Sequence, residues 1–355
     1  MKILQVIPSL EVGGAETMCE GLSRLLKAQG QDVTVVSLYR LETPITRRLQ
    51  EAGVALRYLD KKPGLDPGCV LRLRRLLKRE KPDVIHVHLF ALKYVGAAAV
   101  GLSIPLVHTI HNVASYDAEH DKAVNKYLYT TGKAVPVSLS REIQKTVVEF
   151  YGLPESATPV IFNGIDLESC IPKSDYTLSS PAGIIHVGRF WEQKNHECMV
   201  RALKLLKDRG CPVVLDCFGE GSLLEPTRAL ARELGVEDSI RFRGLTDRVF
   251  PHLNRADLFI LPSKWEGMPM TIIEAMGTGL PVIASDVGGV ADMITTGRNG
   301  LLIRPDPREL ADAIARLLED DALRAQLGRN ALADSIRFSG AAMARSYLEL
   351  YRSRL

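Results

Sequence analysis

Short, continuously apolar runs separated by longer amphipathic stretches recur along the whole chain. In the first half Ile3–Ile7, Val33–Leu38, Val84–Val87, Leu106–Ile110, Val135–Val137 and Pro159–Phe162 read as strands. The pattern restarts at Ile184–Val187 and continues through Val213–Phe218, Ile240–Phe242, Leu258–Leu261 and Val282–Ala284. Strands alternating with helical periodicity predict an α/β protein built on doubly wound parallel sheets. Because the alternation runs twice, two halves of this kind are expected. Between them Cys170–Pro181 is rich in Pro, Ser, Asp and Lys and lacks periodicity, so it is the linker candidate, with the boundary near residue 170. After the last strand the pattern is helical, over Arg308–Glu319, Ala322–Ser335 and Ala341–Tyr351.

Length agrees with two cores, since 355 residues exceed the usual single-domain range. A net charge of +3 gives no whole-protein field that would draw nucleic acid. The six cysteines are scattered without a C-x-x-C pair, which suggests neither a zinc ribbon nor a disulfide framework, and they read as reduced core thiols. Met1–Ile7 followed at once by Pro8 reads as a first strand and not a signal peptide, and no apolar run approaches the roughly 20 residues that span a bilayer. A cytoplasmic protein is expected. One segment, Val70–Glu80, sets Arg72, Arg74, Arg75, Lys78 and Arg79 among leucines. It reads either as a solvated helix face or as a weak peripheral contact with anionic lipid at the inner face of the membrane.

The chemistry concentrates in Pro262–Met276, where Glu266 and Glu274 lie eight residues apart across a loop-to-helix junction. Gly267 and Pro269 hold an irregular loop, and the helix starts near Met268–Thr271, where unpaired N–H groups at the positive end of a helix dipole can hold a diphosphate. Carboxylates suit the hydroxyls of a sugar or ribose. Taken singly, Glu266 could be a solvated loop charge and Glu274 a complement to the helix dipole. A glycosidase pair is another use of two carboxylates, flanking one bond at about 5–9.5 Å; eight helical residues would rise about 12 Å, which weighs against that use without excluding it.

Glu266-Gly267-Met268-Pro269, Glu274-Ala275-Met276-Gly277, Gly279-Leu280-Pro281-Val282-Ile283-Ala284 and Gly288-Gly289 together closely resemble the signature of the family 4 retaining glycosyltransferases of the GT-B fold, the group 1 type. Three further stretches follow in family order: Gly13-Gly14-Ala15-Glu16 after the first strand, Asn163-Gly164-Ile165-Asp166, and His186-Val187-Gly188-Arg189-Phe190 leading through Gln193-Lys194-Asn195. The resemblance implies two Rossmann-like domains facing a cleft: an acceptor-binding one over 1–170, rejoined by the final helix over 336–355, and a donor-binding one over 171–335. It also implies transfer of a sugar from a UDP-sugar or GDP-sugar to a glycan, lipid-linked or small-molecule acceptor, without metal or cofactor.

By the same resemblance Arg189 and Lys194 would hold the leaving diphosphate, Glu274 the ribose, and Glu266 with the Gly267, Met268, Pro269, Met270 and Thr271 backbone the sugar hydroxyls and phosphate. Gly244 and Leu245 would meet the base, while His111, Gly13 and Gly14 would complete the site, His111 as donor or polarising group. Met268 stands where the family often has an aromatic, and Gly340 where a tryptophan is common. Read on residues alone, His86 and His88 fall on one face of a strand, with His108 and His111 at the end of another, and the cluster raises a metal site, but the resemblance gives His111 another task. Gly219-Glu220-Gly221 begins a dinucleotide fingerprint whose third glycine is replaced by Leu224, which disfavours a dehydrogenase, and no D-x-D triplet offers a divalent metal its ligands. A nucleotide-sugar 2-epimerase and a non-catalytic donor-binding subunit stay open as alternatives.

Overall fold

The computed structural model describes residues 1–11, 13–118, 121–246 and 248–355. The chain divides into two compact units, Met1–Ile165 with Ser339–Leu355 and Asp166–Phe338.

The first unit carries β1 (Lys2–Ile7), β2 (Asp32–Ser37), β3 (Ala55–Tyr58), β4 (Val84–His88), β5 (Leu106–Ile110) and β6 (Ala134–Ser138), all parallel, in the order β3-β2-β1-β4-β5-β6. Alternation along β1 explains why both faces need helices. Leu4 and Val6 enter one core with Leu73, Leu77 and Ile143, whereas Ile3 and Ile7 enter the opposite core with Leu22, Leu26, Tyr347 and Tyr351. The last two belong to the helix Gly340–Arg352, so the end of the chain is part of this first unit. At its start Gly340 has no room for a side chain, since a Cβ there would lie 2.6 Å from Leu25 Cδ1.

The second unit repeats the arrangement with β7 (Ala182–Val187), β8 (Val213–Phe218), β9 (Ile240–Gly244), β10 (Leu258–Leu261), β11 (Val282–Ser285) and β12 (Leu301–Ile303), in the order β12-β11-β10-β7-β8-β9. In each unit the winding reverses beside the first strand, between β1 and β4 and between β7 and β10. Loops leaving the carboxyl ends of such a pair diverge and open a crevice where ligands of doubly wound sheets bind.

Three expectations need correction. Pro159–Phe162 is no strand: Val160 makes one isolated bridge to Ser138, because Pro159 has no N–H to donate and Asn163-Gly164 turns the chain soon after. Two strands not foreseen, β3 and β12, flank the sheets. Cys170–Pro181 is irregular but is no free linker, since Lys173 N–H donates to Thr278 O at 2.8 Å and Tyr176 Oη to Gly279 O at 3.0 Å. All six cysteines are free thiols, five of them buried. No described helix is long and apolar enough to cross a membrane. Within Val70–Glu80, Arg72 bonds Asp66, Arg74 caps the Ala98 and Val100 carbonyls and Arg79 bonds Glu80, so three of the five bases serve the fold.

Candidate functional site

In the second unit β7 and β10 lie side by side, Ile184 against Leu258 and Ile185 against Phe259, and the loops that leave them carry the predicted residues. After β7 the chain runs through Gly188 and Arg189, makes a short turn over Glu192–Lys194, passes Asn195 in a left-handed conformation at φ 54° and enters the helix His196–Asp208. After β10 it runs as an irregular loop to the helix Met270–Gly277. The loops are laced together: Lys264 N–H donates to Gln193 O at 2.8 Å, Gln193 Nε2 to Trp265 O at 2.9 Å, and Asn195 Nδ2 to Pro262 O at 3.2 Å.

At the centre Lys194 Nζ stands 2.6 Å from Glu266 Oε1. Ser263 Oγ donates to the same oxygen at 2.6 Å, and Gln193 Nε2 to Oε2 at 3.2 Å. Glu266 is 4% exposed. An ionised carboxylate offers about four acceptor positions, and three are spent, which leaves room for one further donor such as a hydroxyl. The spacing of residues gives no sign that Ser263 and Gln193 take part, and the resemblance sets Lys194 and Glu266 against different parts of a ligand.

Glycines set the loop heights. Gly288 has φ 53°, and a Cβ there would lie 1.9 Å from Glu266 O; the next residue, Gly289, donates its N–H to Gly267 O at 2.9 Å. The diglycine is thus the floor under the Glu266 loop. Gly219, at φ 139°, likewise admits the β7 loop, since a Cβ would come within 2.1 Å of Gly188 O, and its N–H donates to Gly244 O at 2.8 Å. Gly219-Glu220-Gly221 is therefore explained by packing between the strand ends, and Leu245 follows Gly244 with more than half of its surface exposed.

The helix Met270–Gly277 starts after Pro269 with no side-chain cap, so its first N–H groups lack intrahelical acceptors. Within its first turn Thr271 Oγ1 is sealed from solvent and has no hydrogen-bond partner among the described residues. An orphaned buried hydroxyl is costly, and a ligand oxygen at the helix start would satisfy it. Met268 and Met270 are buried beside it. One turn on, Glu274 is partly buried, and burial pushes its carboxyl up to about 7.

That shift has a measurable sign. Glu274 is mostly protonated below pH 7 and ionised above it, whereas a carboxylate accepting two ribose hydroxyls must be ionised. If Glu274 takes the ribose, as the family resemblance implies, UDP affinity is expected to rise as pH increases from 6 to 8, with proton release below pH 7, and Glu274→Gln is expected to remove this component. Calorimetry in two buffers of different ionisation enthalpy reads both; identical proton release in wild type and variant would show that the nucleotide does not meet Glu274.

The first unit holds the remaining candidates. Gly13 is extended at φ −163°, Gly14 opens the helix Gly14–Ala28, and a Cβ on Gly14 would meet nothing within 4 Å. Packing does not demand glycine there, and the space beside it is open. Val12 of this motif, and Glu119 and His120 of the Ser115–Lys126 segment read as acceptor loop, lie outside the described residues.

The histidines form a buried polar network. His86 bonds Tyr351 Oη at 2.6 Å and Thr109 Oγ1 at 2.7 Å; His108 bonds Tyr129 Oη at 2.6 Å and Leu89 O at 3.0 Å; His88 bonds Gln5 at 2.8 Å and His111 at 3.0 Å. Among the described residues no group of three or more His, Cys, Asp or Glu is arranged to hold a metal. Burial, reinforced by His108, pushes His111 down to about 3, so it is neutral at physiological pH.

Comparison with known proteins agrees with this architecture. The family model described as Glycosyltransferase Family 4 matches residues 12–169, and the one described as Glycosyl transferases group 1 matches residues 181–320. A D-inositol 3-phosphate glycosyltransferase of a Nocardioides species is 30% identical over 96% of this chain and 85% of that protein. The Escherichia coli UDP-Gal:alpha-D-GlcNAc-diphosphoundecaprenol alpha-1,3-galactosyltransferase is 29% identical over 73% of this chain and 72% of that protein. Among solved structures, Anabaena Alr3699/HepE in complex with UDP and glucose superposes with a TM-score of 0.87 at 21% identity, over 99% of this chain and 100% of that one, a likeness of fold. The chain belongs to the group 1, family 4 glycosyltransferases, with the GT-B fold, and is a glycosyltransferase. These relatives do not favour the epimerase or non-catalytic readings.

Proposed function

We propose that the protein is a retaining, metal-independent transferase that takes its sugar from a UDP-sugar and passes it to a glycan, lipid-linked or small-molecule acceptor. The observation that carries the donor site is the Lys194–Glu266 pair with Ser263 and Gln193, placed where β7 and β10 part, next to a helix start with an orphaned Thr271 hydroxyl. Lys194 and Arg189 supply positive charge to the diphosphate, whose negative charge grows as the glycosidic bond breaks. Thr271 and the N–H groups of Met270 and Thr271 add donors, and Glu266 accepts from a sugar hydroxyl through its remaining acceptor position. Glu274 takes the ribose, and the backbone at Gly244 and Leu245 takes the base. His111, Gly13 and Gly14 are assigned to the transferred sugar and its phosphate on the family pattern alone. With positive side chains and helix N–H groups in these places, no divalent ion is needed to balance the diphosphate.

UDP is favoured over GDP because the E. coli relative is named for UDP-galactose and HepE is described with UDP. A lipid-linked acceptor would put the work at the inner face of the membrane, with Arg75 and Lys78 as the contact. Calorimetric titration with UDP, GDP, ADP and NAD tests the donor site: UDP is expected to bind at least tenfold more tightly than the others and to lose that margin in Glu274→Ala. Preferential NAD binding, or no nucleotide binding, would sink the proposal.

A further inference from the structure

The route from β1 to His111 fixes more than a position. Gln5 lies on the face of β1 that it shares with Ile3 and Ile7, towards Tyr347 and Tyr351, and is completely buried. His88 Nε2 meets Gln5 Oε1 at 2.8 Å, while His88 Nδ1 meets His111 Nε2 at 3.0 Å. An amide oxygen only accepts, so the proton of His88 sits on Nε2. Burial and the neighbouring histidines hold His88 far below its usual range, so it stays neutral and its Nδ1 is a lone pair. The bond to His111 then requires that His111 be the donor, with its own proton on Nε2. His111 is also neutral, which leaves its Nδ1 as a lone pair. That atom makes no hydrogen bond within the described protein and is not among the sealed polar atoms.

The Gln5 Nε2 is sealed from solvent and has no hydrogen-bond partner among the described residues, so the contact of its Oε1 with His88 is what ties this amide into the network. Beside it Tyr351 Oη meets His86 Nδ1 at 2.6 Å, and His86 Nε2 meets Thr109 Oγ1 at 2.7 Å, which also meets Tyr347 Oη at 2.7 Å. Reversing the amide would turn an N–H towards His88 Nε2, and the sense of the His88–His111 relay would reverse with it.

We propose that Gln5 and His88 are positioning residues that lock His111 in its Nε2–H tautomer, so that His111 meets its ligand as a hydrogen-bond acceptor through Nδ1 and therefore requires a hydroxyl there, not a phosphate oxygen or a carboxylate. The ligand half of this rests on the assignment of His111 to the transferred sugar; the relay half does not. On this proposal His111 acts as an acceptor in place of the donor role that the resemblance implies, for a neutral ring with its only proton committed to His88 has none to give.

The test is long-range proton–nitrogen NMR of the full-length protein labelled with 15N-histidine, without ligand, in wild type and Gln5→Met, with His88→Phe and His111→Ala used to assign the signals. Wild type is expected to show His88 and His111 as Nε2–H tautomers with an unprotonated Nδ1, and Gln5→Met, of similar volume but without the amide acceptor, a mixture at both rings. A wild-type His111 protonated on Nδ1, or a Gln5→Met spectrum unchanged at His88 and His111, overturns the relay. Adding UDP-glucose, against UDP alone, reads the ligand half: the His111 Nδ1 signal is expected to move upfield with UDP-glucose only. If UDP-glucose binds and that signal does not move, the acceptor role is overturned; if neither compound binds, the donor assignment fails while the tautomer pattern still decides the relay.

Discussion

Glu266→Ala is expected to lower the unfolding midpoint of the second unit by about 6–12 °C and to reduce transfer by about 10²–10³-fold. The structural part follows from what the substitution leaves behind. Lys194, Ser263 and Gln193 all donate to this carboxylate, which is 4% exposed. Without it an ammonium and a hydroxyl lose their acceptor inside the crevice. Removing one partner of a buried pair costs about 3–5 kcal/mol, and the Lys194 side chain, 16% exposed, recovers part of that from water, so about 3 kcal/mol is expected. At about 2–4 °C per kcal/mol for a unit of this size, that is the stated shift. Glu266→Gln keeps the volume and one acceptor oxygen and should lose less than half as much stability, yet it removes the charge that holds Lys194. Differential scanning calorimetry separates the two variants. A Glu266→Ala protein melting within 1 °C (~0.5 kcal/mol) of wild type would mean that the pair contributes nothing to the fold.

How much of this was legible can be judged element by element. The strands at the middle of each sheet are buried at every position, as β4, β5 and β10 are, and a continuous apolar run announces them. At the edges that signal fails. Ala55-Leu56-Arg57-Tyr58 is half exposed and carries an arginine, and β12 has only three residues. The candidate site could be read as a string of residue types because its loop and helix are contiguous in sequence. Its wiring was not: Lys194 and Glu266 are 72 residues apart, and no spacing rule links them. The same limit hid the packing role of Gly219, which answers to a carbonyl in the loop after a different strand, and the dependence of His111 on Gln5 through His88. Sequence patterns report what a residue can do, whereas protonation and direction of donation depend on neighbours brought together by the sheet.

Gly288→Ala should damage the proposed donor site almost as much as losing Glu266, although residue 288 carries no functional group. Its added Cβ would start 1.9 Å from Glu266 O, and ordinary contact begins at 3.4 Å, so one backbone must yield by about 1.5 Å, the difference between the two. Neither is the end of a flexible side chain. The loop that gives way carries Glu266, whose 2.6 Å contacts with Lys194 and Ser263 tolerate no such shift. A misplacement of about 1 Å in a positioning group can cost 10²-fold in rate, and UDP affinity is expected to fall at least tenfold because Gly289 N–H also loses Gly267 O. Part of any stability loss would come merely from placing alanine at φ 53°, about 1–2 kcal/mol. Gly297→Ala isolates that part: its φ is 78°, yet a Cβ there meets nothing within 4 Å. Thermal unfolding and UDP titration of both variants should show similar strain in the two but loss of nucleotide affinity in Gly288→Ala alone. Wild-type affinity in Gly288→Ala would mean that the Glu266 loop finds its place without the diglycine floor, and that the nucleotide, where it binds, does not depend on where that loop sits.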